Sequence, residues 1–335
     1  MRFIFNLERC GAANNGGTKT IFASANTLVD MGHEVFVVSD IENKFTWFPL
    51  KAEFIHFRGK SKEYPSADAH IATGFQTVKP VLASPSFTGE RVHWIRAHET
   101  WIMKDPTLVY HAPTRKLVNS KGLQQFIKAN YGIDSIILYP GIEYDVFRNV
   151  GKYDISYPIG IGALYNQKAR KRFPWVVDSF RFLKRTYGRA VRFILFGNDG
   201  RPINLEKLFR FSYVQQPAQE QLVHLYNQCT FWLAPTESEG LHICPMEAAL
   251  CRSVVIGTDA PLAGMSDWLD ETTGFVSEND YDSYLKMVLF AFEQEPSKLA
   301  ALSIAARDRI VQKIGSRRRN MGKLVHLIKF WRNER

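Results

Sequence analysis

The chain has 335 residues, 45% apolar and 23% charged, and a formal net charge of +10 at pH 7. That length exceeds one ordinary core and suits two domains of about 150 residues each. Near-average glycine and proline usage excludes a disordered, collagenous or low-complexity chain.

No run approaches the roughly 18 uninterrupted apolar residues of a membrane-spanning helix. The apolar run within Met1–Cys10 stops at Glu8 and Arg9, too short for a secretory leader, so a cytoplasmic location is expected. Cys10, Cys229, Cys244 and Cys251 form no CxxC pair and have no histidine at zinc-finger spacing, and are expected to be reduced and structural. The charge is concentrated at the end: residues 307–335 hold ten Lys and Arg against Asp308 and Glu334, or +8. Such a segment can meet phosphate on an anionic membrane or on nucleic acid, or simply form a solvated helix face.

In chain order, residues 2–7 read as a buried strand, followed by a loop rich in Gly and Asn through Gly11, Asn14, Asn15, Gly16 and Gly17. A helix follows, with Ile21, Ala25, Leu28 and Val29 at helical spacing, and Gly32 ends it. Residues 34–39 return as a strand, giving a strand-helix-strand unit of parallel-sheet type. Further strands are expected at 53–57, 69–73, 92–95, 116–119 and 135–138, with helical text between several of them.

Tyr139, Pro140, Gly141 and the stretch through Gly151 carry the turn residues of a hinge. The alternation then resumes. Strands are expected at 158–163, 191–196, 230–234 and 253–257, and helices at 175–185, 220–227, from Met246, and over 281–314. Met321, Leu324, Val325, Ile328 and Trp331 form one apolar stripe on a final basic helix. The reading is α/β, with domains at 1–145 and 150–315 and a terminal helix at 316–335.

The most informative segment is 234–251, which follows a β-rich run and opens a helix. Doubly wound sheets place ligands at such junctions, because free backbone amides and the helix dipole favour a phosphate there. Glu239 and Glu247 flank the junction with seven residues between them. The only Asp-x-Asp, Asp280-Tyr281-Asp282, stands where a later helix begins and reads as a cap rather than a metal site.

This segment resembles the Glu-x7-Glu signature of glycosyltransferase family 4 through Thr236, Glu239, Gly240, Glu247 and Ala248. The similarity extends in order from Gly16-Gly17 and Gly32–Val35, through Val118–Ser120 and Tyr139–Phe147, to Glu220–Tyr226 and Thr273–Phe275.

The resemblance implies a GT-B fold: two Rossmann-like domains with an interdomain cleft, the first binding acceptor and the second a nucleotide sugar. It implies a retaining transferase needing no metal and no cofactor beyond the nucleotide-diphosphate sugar. Glu239 would meet donor-sugar hydroxyls and Glu247 the ribose, with backbone amides around Gly240, Leu241, His242 and Ile243 on the diphosphate. Lys171 would bind phosphate, and Gly197 and Thr236 would line the donor site. In the first domain, His98 would position a sugar or acceptor hydroxyl, while Gly16 and Gly17 let backbone approach the donor phosphate.

The sequence also departs from the pattern. His242 stands where the family has Gly, Cys244 where it has Pro, and Ala163 where it has a second phosphate-binding Arg. Lys168, Arg170 and Arg172 are the candidates to replace that Arg. Two acceptors remain open, a cell-envelope glycan or glycolipid and a modified base in DNA. The commoner use of the family favours the glycan. A third reading is a binding protein that kept the fold and lost turnover.

Overall fold

The computed structural model describes residues 1–42, 45–150 and 157–334, so Gly151 of the expected hinge lies outside the described residues. The chain forms two compact units, Met1–Gly141 with Ser316–Arg335, and Ile142–Gly315.

The first unit contains β1 (Arg2–Asn6), α1 (Gly16–Asp30), β2 (Glu34–Ser39), β3 (Glu53–His56), β4 (Ala69–Ala72), α2 (Phe75–Ala83) and β5 (Glu90–Ile95). It continues with α3 (Thr107–His111), β6 (Arg115–Val118), α4 (Lys121–Tyr131) and β7 (Ile136–Ile137). The seven strands form one sheet in the order β3-β2-β1-β4-β5-β6-β7, and every pairing is parallel.

The second unit contains β8 (Ile159–Tyr165), α5 (Phe173–Tyr187), β9 (Val191–Gly197), β10 (Phe211–Gln215), α6 (Gln219–Asn227) and β11 (Phe231–Ala234). It ends with α7 (Ile243–Leu250), β12 (Val254–Thr258), β13 (Phe275–Ser277), α8 (Tyr281–Phe292) and α9 (Pro296–Lys313). Its sheet is also parallel throughout, in the order β10-β9-β8-β11-β12-β13. The last helix, α10 (Arg317–Asn333), belongs to the first unit.

Capping chemistry sets the helix starts. Asn15, Ser120, Asp280 and Ser316 accept from first-turn amides of α1, α4, α8 and α10. The central strands are buried on both faces, as parallel sheets covered by helices require. Phe3, Phe5, Val37, Ile71 and Trp94 make the first core, which Met321, Leu324, Ile328 and Trp331 of α10 join. At Gly141 (φ 74°) an added Cβ would lie 2.4 Å from the Arg317 backbone, so only glycine lets the chain pass α10 there.

Three local expectations are corrected. The helical stretch over 281–314 is two helices, because Pro296 lacks the amide to continue α8 and instead starts α9. The helix expected from Met246 begins at Ile243, because Pro245 falls in its first turn, where no amide partner is needed. Strands β10 and β13 at the two sheet edges were not expected. Among the described residues, no helix is long and apolar enough to cross a membrane.

Candidate functional site

In the second sheet β8 and β11 are neighbours, but the chain leaves β8 towards β9 and leaves β11 towards β12, on opposite sides. The carboxyl ends of these two strands are therefore a topological switch point, where doubly wound sheets hold ligands. Two loops leave it, residues 166–172 and 235–242, and they are joined: the Glu237 amide donates to the Arg170 carbonyl at 2.9 Å. The second loop is fixed from its other side by amide hydrogen bonds, Glu239 to the Leu262 carbonyl (2.6 Å) and His242 to the Gly264 carbonyl (3.2 Å).

The junction gathers charge. Lys171 Nζ lies 2.5 Å from Glu239 Oε1 and Arg170 Nε lies 3.8 Å from it, with the Lys171 and Glu239 side chains 11% and 20% exposed. Arg172 points elsewhere. Its left-handed backbone (φ 49°) turns the guanidinium to Glu237 at 3.6 Å, to Asn279 Oδ1 at 2.5 Å and over the Trp175 ring. Lys168 is exposed, and Ala163 is fully buried within β8. Of the basic residues in the loop, the fold thus brings Arg170 and Lys171 to Glu239.

Glu247 has a different setting. It lies on α7, 7% exposed, and its Oε2 accepts a 2.8 Å hydrogen bond from the Tyr226 hydroxyl. Burial, then the neighbouring Cys244 and Glu247, push the Tyr226 phenol far above its usual range, and burial pushes the Cys244 thiol up to about 12. Both stay protonated at neutral pH. Tyr226 was not singled out as a site residue; the signal was available, because a buried tyrosine on α6 needs a partner for its hydroxyl.

His242 is the N-cap residue of α7, yet its side chain caps no amide. The residue is 5% exposed, and among the described residues its Nδ1 has no hydrogen-bond partner. Thr236, Gly240 and Leu241 are buried along the same loop, and Ile243 is half-buried at the start of α7. Gly197 ends β9, where an added Cβ would lie 2.5 Å from the Tyr165 carbonyl oxygen.

In the first unit, Gly16 and Gly17 open α1, and Arg96 Nη2 donates to the Gly17 carbonyl at 2.8 Å. Burial lowers the Arg96 guanidinium to about 10, still charged at pH 7. His98 shares a 2.9 Å hydrogen bond with the Tyr110 hydroxyl and packs on Phe126, and burial lowers its imidazole below the ordinary value. Asp280 caps α8, accepting from the Ser283 amide at 2.9 Å. Among the described residues, no group of three His, Cys, Asp or Glu is placed to hold a metal.

Two parallel α/β units of this order, with the terminal helix returning to the first, are the GT-B fold of glycosyltransferases. Residues 159–293 match the family model described as "Glycosyl transferases group 1". Among solved structures, sucrose-phosphate synthase from Thermosynechococcus elongatus has a TM-score of 0.79 at 12% identity, covering 100% of both chains. A variant of TarM from S. aureus, in complex with fondaparinux, alpha-GlcNAc-glycerol and UDP, has a TM-score of 0.78 at 9% identity, covering 98% of this chain and 99% of its own. HepE from Anabaena, in complex with UDP and glucose, has a TM-score of 0.77 at 13% identity over 98% and 99%. No curated protein sequence matches the chain significantly.

Proposed function

We propose that the protein is a retaining glycosyltransferase of family 4 type that moves a sugar from a nucleoside-diphosphate donor to an acceptor hydroxyl. The observation that carries this reading is the convergence of Lys171 and Arg170 on Glu239 where β8, β11 and α7 meet. The solved relatives holding UDP support it.

In this reading the donor diphosphate draws Lys171 and Arg170 from Glu239, helped by loop amides at Gly240–Ile243, with Gly197 and Thr236 lining the site. Glu239 is then released to the donor-sugar hydroxyls, and Glu247, fixed by Tyr226, takes the ribose. Charge that grows on the leaving diphosphate meets cations already in place, which is how a preorganised site lowers the barrier. Metal is not needed for that step. The leaving phosphate oxygen takes the acceptor proton on the same face, so no dedicated protein base is required. Gly16, Gly17 and His98 serve the acceptor side.

For the acceptor, a cell-envelope glycan or glycolipid is preferred to a base in DNA. Arg318, Arg319, Lys323, His326 and Lys329 are exposed on α10 while its apolar stripe is buried, which supports peripheral contact with the anionic inner face of a membrane. Liposome co-sedimentation should succeed and fall with salt, whereas preferential DNA retardation would favour the other acceptor.

The decisive test is Glu239→Ala. Transfer from the cognate sugar nucleotide should fall about 10²- to 10³-fold, the scale of losing one transition-state contact. Unchanged transfer and donor hydrolysis would remove Glu239 from the chemistry. Transfer should also survive EDTA, and activity restored only by Mn²⁺ or Mg²⁺ would refute the metal-free step.

A further inference from the structure

The loop at the head of α7 buries a polar side-chain atom. His242 Nδ1 is buried with no hydrogen-bond partner among the described residues, and the residue is 5% exposed. Its backbone is committed elsewhere, since the amide donates to the Gly264 carbonyl. Gly264 has φ 72°, and a Cβ there would come 3.0 Å from the His242 nitrogen. The loop backbone is therefore held closely against Gly264, while among the described residues the ring forms no hydrogen bond through Nδ1.

Native proteins rarely leave a buried polar atom unpaired, and a ligand is one reason they do. The surroundings say which ligand. Burial first, then the charges of Lys171 and Arg170, hold the imidazole well below its ordinary range, so the ring is neutral at pH 7. A neutral imidazole offers one N–H donor and one acceptor. With two cations bearing on it, at the N-terminus of a helix that its own N-cap side chain does not cap, the missing partner is an anion rich in oxygen acceptors.

We propose that His242 contacts the donor diphosphate directly, donating from Nδ1 to a phosphate oxygen beside Lys171 and Arg170. This rests on the sugar-nucleotide reading of the loops at 166–172 and 235–242. It gives His242 part of the work that the absent Arg at position 163 would otherwise do.

The test is calorimetric titration of the full chain with UDP, GDP, UMP and inorganic pyrophosphate, on wild type, His242→Leu and His242→Asn. His242→Leu should lose about tenfold in affinity for the nucleoside diphosphate that binds and for pyrophosphate, and less for UMP. The unliganded variant should melt at the wild-type temperature or above it, because leucine removes a buried unpaired nitrogen. His242→Asn, whose amide nitrogen falls near the position of Nδ1, should bind within about threefold of wild type.

Wild-type affinity in His242→Leu would overturn the inference and leave the donor site standing. A drop in melting temperature that Asn fails to repair would assign His242 to packing instead. Wild-type protein that binds none of UDP, GDP and pyrophosphate would overturn the donor reading, and this inference with it.

Discussion

The two units share one plan and finish it differently. Counted from its own first strand, each sheet runs 3-2-1-4-5-6, and the first unit adds one strand more. In the first unit the buried carboxylate next to the first strand, Glu8, is closed off by neutral donors: Tyr64 at 2.5 Å and Asn6 at 2.7 Å. Asn6 also meets His70, which is bonded in turn to Ser84. In the second unit the carboxylate at the switch point, Glu239, faces two cations and a loop whose His242 Nδ1 has no hydrogen-bond partner among the described residues. A network of neutral partners has nothing to exchange with a ligand. Cations that hold a carboxylate can trade it for a phosphate, so the topology supplies the place and the choice of partner supplies the chemistry.

The largest expected effect of a single substitution breaks the first unit alone. Trp331 is buried in that core under the Arg115 guanidinium, so Trp331→Ala should cost about 3–5 kcal/mol. Hydrogen exchange should show amides of β1, β4 and β5 losing protection while those of β8, β9 and β11 keep theirs. Equal loss in both sheets would mean that the two cores unfold as one.

The second sharpens the contrast inside the loop after β8. Lys171→Ala should weaken nucleoside-diphosphate binding by about 1.5–3 kcal/mol, roughly 10- to 150-fold, as loss of a charged hydrogen bond does. Arg172→Gln should leave affinity within about twofold, because Arg172 is engaged by Glu237, Asn279 and Trp175. Titration with UDP and GDP decides it, and a larger loss at Arg172 would show that the resting geometry misassigns the phosphate cations.

That pair also shows where the sequence stops informing. Buried runs and turn residues revealed most strands, because a parallel sheet covered on both faces has to be written in continuous apolar text. β10 escaped because none of its residues is fully buried at the sheet edge, and its text, Phe-Ser-Tyr-Val-Gln, mixes polar with apolar. β13 has only three residues, too few for any period. Lys168, Arg170, Lys171 and Arg172 are equivalent as letters. What separates them is the left-handed turn at Arg172, which depends on how the loop is held by Glu237. Likewise, nothing in the spacing of the two glutamates says that one faces cations and the other a buried phenol.

Acid tests the first unit again. His70 and His93 are buried there, with pKa values lowered by burial to about 3. The unfolded chain takes up these protons near pH 6.5, so between about 6.5 and 3 the folded state binds fewer. Stability should fall as pH drops through that window, by about 1.4 kcal/mol per pH unit for each ring. His93→Gln should flatten the slope by one ring's share, and an unchanged slope would mean that His93 protonates while the protein is still folded.

The smallest effect concerns Tyr226. Its hydroxyl fixes one oxygen of Glu247, so Tyr226→Phe should cost about 1 kcal/mol of donor binding, near fivefold. A general loss of affinity would not separate orientation of Glu247 from damage to the core, because Tyr226 also packs edge-on to Trp232 and Phe147. The ribose does separate them. If Glu247 reads its hydroxyls, wild type should prefer UDP to 2′-deoxy-UDP, and Tyr226→Phe should shrink that preference about fivefold while leaving the deoxy affinity in place. If both nucleotides weaken together, the phenol serves the core and Glu247 is oriented by something else.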